Sequence, residues 1–356
     1  MTHLSGRKSI RTTEVICLLL TFILTGCTQN NDHGGGDKER KFRLMLISSP
    51  TGLDAPLFYG KSRGVFAKYG IDLTIQFGNG SQRTYDAVAS GRADAGVTVF
   101  SAIALSAGKG GDLVSFGSLQ QVDSAGILMS KSSHVTSTAG LRGKTLLASS
   151  GSALRRVLPV LLSQAGVPED RVSVKDVVPG ALYAAYVAGQ ADGMITVLPN
   201  SVPVVGDKRP SVALPFIENG IVQPGLSLVA QPEDLRSERD TYVRFMRALI
   251  EADSLAQADI REAAGSVSEE APQLTKDVTA DQFRAAQEFR CWADSPNGSS
   301  SFLQPAALWK SGISLFEKSG MIESGALNSE ALYTNGIVRT AVSSDPPRGP
   351  HARERC

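Results

Sequence analysis

The sequence predicts an α/β chain of two lobes, each a mostly parallel sheet flanked by helices, with a cleft between the lobes. Three observations predict it. From Lys41 onward, short β-like runs alternate with amphipathic segments, and that repetition favours parallel strands covered on both faces. The pattern breaks at Ser118 to Gly126 and then restarts in the same grammar. The chain of 356 residues, 42% hydrophobic and 20% charged, is long enough for two domains.

The amino end has a different character. Arg7, Lys8 and Arg11 precede an apolar run from Val15 to Leu24 that ends in Thr25-Gly26-Cys27. This run is too short to cross a hydrocarbon core of roughly 30 Å, and small residues follow it as a cleavage site requires, so residues 1–26 read as an export signal. Leu24-Thr25-Gly26-Cys27 also resembles the lipobox of bacterial lipoproteins, which implies that Cys27 is lipidated and becomes the first mature residue. Acyl chains there would anchor the protein to a membrane. Residues 27–40, with Gly34-Gly35-Gly36 and mixed polar residues, read as a tether.

In the first lobe, residues 42–47 form a strand that opens into Ser48-Ser49-Pro50-Thr51-Gly52. A helix over Pro56 to Tyr69 follows, broken near Gly64 and closed at Gly70. Residues 71–77 alternate with period two as a strand, and Gly78-Asn79-Gly80-Ser81 leads into a helix through Tyr85, Val88 and Ala89. Gly91 to Val99 gives a turn and third strand, then Ser101 to Ala107 a short helix.

After the break, strands are expected at Thr145–Ala148 and Val172–Val178, with helices at Ala153–Ala165 and Ala181–Ala188. A turn and strand follow over Gly189–Val197. From about Leu226 the pattern gives one more strand and helices at Glu238–Ala258, Thr279–Phe289 and Pro305–Lys318, expected to return to the first lobe. The expected organisation is therefore lobe 1 over 41–119, lobe 2 over 120–222, a return to lobe 1 over 223–342, and a disordered tail over 343–356.

Several function classes are set aside at this level. With 36 Lys and Arg against 35 Asp and Glu, the formal charge of +1 gives no reason to expect a nucleic-acid partner. His3, His33, His134 and His351 are scattered, and no CxxC or HExxH spacing occurs, so neither a metal nor another cofactor is expected. Of four cysteines, Cys17 would leave with the signal and Cys27 would be lipidated; whether Cys291 and Cys356 pair stays open.

Five segments in order resemble the type II periplasmic-binding-protein fold, in the branch of receptors for thiamine-pyrimidine precursors, aliphatic sulfonates, taurine and nitrate. They are Asp54-Ala55-Pro56-Leu57-Phe58-Tyr59 with Gly64-Val65-Phe66, Tyr69-Gly70-Ile71-Asp72-Leu73, Ser90 to Gly96, Leu141-Arg142-Gly143-Lys144, and Ala188 to Gly193. The resemblance covers roughly Phe42 to Val204. It implies an exported, lipid-anchored solute-binding subunit of an ABC importer, a monomer that captures a small molecule, delivers it to a membrane permease and does no chemistry. A lipoprotein sensor is the alternative reading. A pyrimidine-precursor synthase of the same fold is a more distant one, since the reactive His and Cys-rich motif it needs are missing.

Ligand capture in such a fold falls to loops at the carboxyl edges of the sheets, where free backbone N–H groups and small polar side chains collect. The first loop offers Ser49, Thr51 and Asp54, and Asp54 could either accept from a ligand nitrogen or cap the helix beginning at Pro56. The second offers Asn79, Gly80 and Ser81; the third, Thr98, Phe100 and Ser101, with Phe100 as an aromatic wall. The fourth offers Ser150, Gly151 and Ser152. Gln121 at the crossover, Gly180 and Thr196 complete the set, with Gln121 equally readable as a hinge residue. Arg155 and Arg156 could meet an anion or simply face solvent. Asp54 and Phe100 together tilt the expected ligand towards a thiamine-pyrimidine-like heterocycle over a sulfonate, taurine or nitrate.

Overall fold

The computed structural model describes residues 39–291 and 300–343. The export signal, Cys27 and almost all of the tether and carboxyl tail lie outside the described residues. So do three of the four cysteines; Cys291 itself is disulfide-bonded.

Among the described residues, ten strands form two five-stranded sheets. They are β1 Arg40–Met45, β2 Ile71–Gln76, β3 Ala95–Val99, β4 Val114–Ser118, β5 Ala125–Ser130, β6 Thr145–Ser149, β7 Ser173–Val177, β8 Gly193–Val197, β9 Ser211–Pro215 and β10 Leu226–Ala230. One sheet has the order β2-β1-β3-β10-β4 and the other β7-β6-β8-β5-β9. The orders are equivalent. In each sheet the parallel pairs are joined by one antiparallel strand, β10 against β3 and β4, and β5 against β8 and β9. That strand is the one reached directly from the other lobe, so each crossing enters its sheet against the grain.

Three strands escaped the sequence reading, β4, β5 and β9. β5 reads Ala-Gly-Ile-Leu-Met-Ser and is buried at every position, so it shows no polar alternation. Helices came closer. The chain breaks at Gly64, as the sequence reading expected, between helices Ala55–Ser62 and Val65–Lys68, and Gly64 makes the break in a left-handed conformation with φ 68°. The segment expected as one helix from Ala153 instead makes a 3-10 turn over Ala153–Val157 and an α-helix over Leu158–Gln164, because Pro159 is accommodated only in a first turn. Helix Gly336–Ser343 lies where the sequence suggests the end of order.

The carboxyl-terminal helices build their core on the first sheet. Phe245, from helix Arg239–Ala258, stacks on Phe42 of β1 at a centroid distance of 4.5 Å. Tyr242, one turn earlier, donates to the Asp94 carbonyl at 2.8 Å. Arg290 meets Asp253 in a bidentate pair at 2.7 and 2.6 Å, with side chains only 11% and 8% exposed.

Two chain crossings join the sheets side by side. Val122 bridges antiparallel to Pro224, and the Gly225 N–H donates to the Gln121 carbonyl at 3.1 Å. Asp123 is sealed here. Its carboxylate accepts from the Ala125 N–H at 2.9 Å and from the Gln223 amide at 2.5 Å, with no cation on it among the described residues, and burial pushes its carboxyl up to about 6.

Candidate functional site

A cleft of about 340 Å³ lies where the carboxyl ends of strands from both sheets face one another. Pockets of this size hold small organic ligands, a class that spans roughly 300–1,000 Å³. The first sheet supplies Ser48 to Thr51 after β1, Gly78 to Ser81 after β2, and Val97 and Val99 on β3. The second supplies Ser149 and Ser152 after β6, Gly180 after β7, and Ile195 to Val197 on β8.

The first loop uses its own carboxylate. Asp54 accepts from the Thr51 N–H at 2.9 Å and the Thr51 hydroxyl at 3.1 Å, closing a capping box on the 3-10 turn Gly52–Asp54, and makes no side-chain capping bond to helix Ala55–Ser62. Burial raises its carboxyl to about 6 in spite of these bonds. Asp54 lines the cleft with its carboxylate turned back onto Thr51.

The second and fourth loops meet. The Gly80 N–H donates to the Ile47 carbonyl at 2.7 Å, and the Ser81 hydroxyl accepts from the Ala153 N–H of the other lobe at 3.2 Å. Gly80 has φ 109°, and a Cβ on it would sit 2.9 Å from the Gly151 carbonyl oxygen. Gly151 has φ 79° and, with Ser150, does not line the cleft, whereas Ser152 does. A second link lies across the cleft. Gln282, on helix Lys276–Ala286, donates through Nε2 to the Asn200 carbonyl at 2.7 Å and accepts through Oε1 from the Gly52 N–H at 2.8 Å. The lobes are thus closed on each other by hydrogen bonds on two sides.

The close approach is made at Gly80, since a Cβ on Gly151 would lie no nearer than 3.7 Å from its neighbours. Gly80→Ala is expected to weaken ligand binding roughly 10- to 100-fold, since the methyl adds backbone strain and meets the other lobe only when closed. Isothermal titration against any ligand found for the wild type checks this; unchanged affinity would remove the close approach from the mechanism.

The third loop is not part of the cleft. Phe100 is 0% exposed, packed edge-on to Trp309 at 5.5 Å and to Phe316 at 5.2 Å, because a large ring gains more by joining that core than by facing solvent. Thr98 is buried and donates to the Ser81 carbonyl at 3.0 Å, which supports the second loop from behind. Ser101 is also buried. Period two on β3 turns Val97 and Val99 to the cleft in their place. Gln121 is held at the crossing by a bond from its side-chain amide to the Leu303 carbonyl at 2.9 Å and does not line the cleft. Arg155 pairs with Asp176 at 2.5 Å on the surface.

Sequence reasoning missed Tyr183, Asn200, Gln273 and Gln282, all of which line the cleft. Tyr183 is the aromatic wall. Burial pushes its hydroxyl up to about 12, partly opposed by a hydrogen bond with Thr196. Its place one turn after Gly180 was a usable signal, whereas Gln282, inside a helix remote in sequence, gave none. Among the described residues, those lining the cleft include no Lys, Arg or His. His134 sits in an exposed turn at φ 55°.

A family model described as NMT1/THI5 like matches residues 54–263, more than half of the chain. No curated protein matches. Among solved structures, the alkanesulfonate-binding protein SsuA from Xanthomonas axonopodis pv. citri, bound to MOPS, superposes with a TM-score of 0.65 at 16% identity, covering 83% of this chain and 98% of that one. The periplasmic aliphatic sulphonate binding protein SsuA from Escherichia coli gives 0.63 at 18%, covering 82% and 91%. The periplasmic nitrate-binding protein NrtA from Synechocystis PCC 6803 gives 0.63 at 12%, covering 85% and 88%. At such identities the likeness is one of fold, and it agrees with the paired sheets and their shared strand order. The chain belongs to the NMT1/THI5-like family, built on the two-lobed periplasmic-binding-protein fold.

Proposed function

We propose that this protein is the extracytoplasmic solute-binding component of an ABC importer, which closes its two lobes over a small organic molecule and hands it unchanged to a permease. The observation that carries this reading is the cleft itself, lined from both sheets and bounded by interlobe bonds from Ser81 and Gln282. A solute entering between open lobes would lose water as they shut, and the closed surface would be the form a permease recognises. The two hydrogen-bonded crossings at Val122 and Pro224 supply the hinge. Solved proteins of similar shape include receptors for sulfonates and nitrate. The export signal and the Leu24-Thr25-Gly26-Cys27 segment support lipid anchoring at the outer face of a membrane.

The reasons for favouring a thiamine-pyrimidine-like heterocycle change. Asp54 is engaged by Thr51 and Phe100 is in the core, so stacking would fall to Tyr183 and ligand bonds to neutral hydroxyl and amide groups. A thermal-shift screen of the chain from Asn30 onward, against pyrimidines, thiamine, sulfonates, taurine and nitrate, tests the reading. A ligand at a hundred times its dissociation constant should stabilise the fold by about 2.7 kcal/mol. If no class shifts the midpoint, solute capture of this kind is ruled out.

A further inference from the structure

The bonds from Thr51 use only half of the Asp54 carboxylate. Both go to one oxygen, Oδ2, while Oδ1 accepts no bond among the described residues and is not sealed from solvent. Asp54 keeps 9% of its surface and lines the cleft, where it is the one carboxylate among the described lining residues.

Capping does not account for the charge. A capping box is closed as well by a neutral amide as by a carboxylate, without taking an ion out of water. No cationic side chain lines the cleft among the described residues to offset that cost. The turn Gly52–Asp54 packs against helices Ala55–Ser62, Leu198–Val205, Ile260–Glu270 and Lys276–Ala286. Helix Leu198–Val205 carries no ionisable residue, and Lys61, Glu269 and Glu270 on the others are exposed. Their remaining charges pair at the surface, Arg261 with Asp277, Lys276 with Glu262 and Arg284 with Asp281. None acts on the Asp54 carboxyl, which is moved by burial and by the Thr51 bonds.

We infer that Asp54 Oδ1 anchors a small organic cation, a primary ammonium or amidinium whose N–H groups donate to it while its apolar body lies along Tyr183, Ile195 and Val197 of the other lobe. This rests on the solute-binding reading above and names its ligand class. Such a cation supplies both the missing hydrogen bond and the missing counter-charge, and each is stronger in a cleft shut from water than in solvent. The neutral hydroxyl and amide groups of the cleft add to this bond, and none of them supplies charge. A sulfonate or nitrate in the same place would meet a carboxylate and gain no cation.

The probes are benzamidine as a cation, benzamide as its uncharged isostere and benzenesulfonate as an anion, titrated calorimetrically into the full chain near neutral pH. Benzamidine is expected to bind about tenfold or more tightly than benzamide. Asp54→Asn, whose side-chain oxygen can still accept from Thr51, is expected to remove that advantage and leave benzamide affinity unchanged.

A second measurement needs no variant and decides the matter should Asp54→Asn not fold. Benzamidine stays cationic in mild acid, whereas Asp54 takes up a proton as pH falls through about 6. The benzamidine advantage of the wild type is therefore present above that pH and falls about tenfold per unit below it. Asp123, which titrates in the same range at the crossing, acts on both probes alike and cancels in their ratio.

Equal binding of benzamidine and benzamide, tighter binding of benzenesulfonate, or a cation preference that survives Asp54→Asn or acid would overturn the charge assignment while leaving solute capture standing. A chain that binds none of the three, and none of the classes screened above, would instead overturn solute capture itself.

Discussion

Phe100→Ala is expected to lower the unfolding free energy by about 3–5 kcal/mol while leaving the affinity of the remaining folded protein for its ligand unchanged. The ring is wholly buried between Trp309 and Phe316, and a Cβ on Gly312 would lie 2.7 Å from it, so the site is already tightly filled. Truncation leaves a void that rigid neighbours cannot close. Urea denaturation gives the first quantity and titration of the folded fraction the second. A binding defect without loss of stability would return Phe100 to the cleft.

Asp123→Asn is expected to stabilise the protein relative to wild type by an amount that grows with pH, reaching about 3 kcal/mol near neutrality. The sign follows from burial. The Asp123 carboxyl is raised from 3.8 to about 6 in the fold, so between those values the folded state holds a proton that the unfolded chain has released. Stability from this group is fully present below about pH 4 and is lost as pH rises through 6. Asp54, raised to about 6 by the same cause, adds to the wild-type loss. At Asp94 burial works upward, but the bonds from Arg43 outweigh it and lower the carboxyl, so that group has the opposite pH dependence. The informative quantity is therefore the difference between variant and wild type at each pH. The new amide has a partner waiting, since Gln223 Oε1 is buried without a bond among the described residues and can turn to accept. A difference flat from pH 4 to 7 would show that Asp123 is not desolvated at the crossing.

Much of the first lobe was legible because its strands obey local rules. β1 and β2 alternate or end in small-residue loops, and Gly64, Gly70 and Gly80 mark turns whose positive φ only glycine adopts freely. The duplication of strand, loop and helix was equally visible, and the equivalent strand orders of the two sheets are its consequence. The candidate loops after β1, β2 and β6 reached the cleft because residues following parallel strands collect at one edge of a sheet, whatever the rest of the chain does.

What the sequence by itself determined was most of the strands and helices, β4, β5 and β9 apart, and which loops lie at the carboxyl edges. The tertiary structure alone decided which side chains in those loops face the cleft. Phe100 follows β3 directly, nearer to its strand than Ser81 is to β2, but helix Ala306–Lys318, more than 200 positions away, brings Trp309 and Phe316 to cover it. Gln282 and Asn200 meet only because two lobes close, and no local pattern encodes a contact between residues 82 positions apart. Local periodicity records how a residue sits within its own element, whereas burial and unpaired polar atoms depend on elements that arrive from elsewhere in the chain.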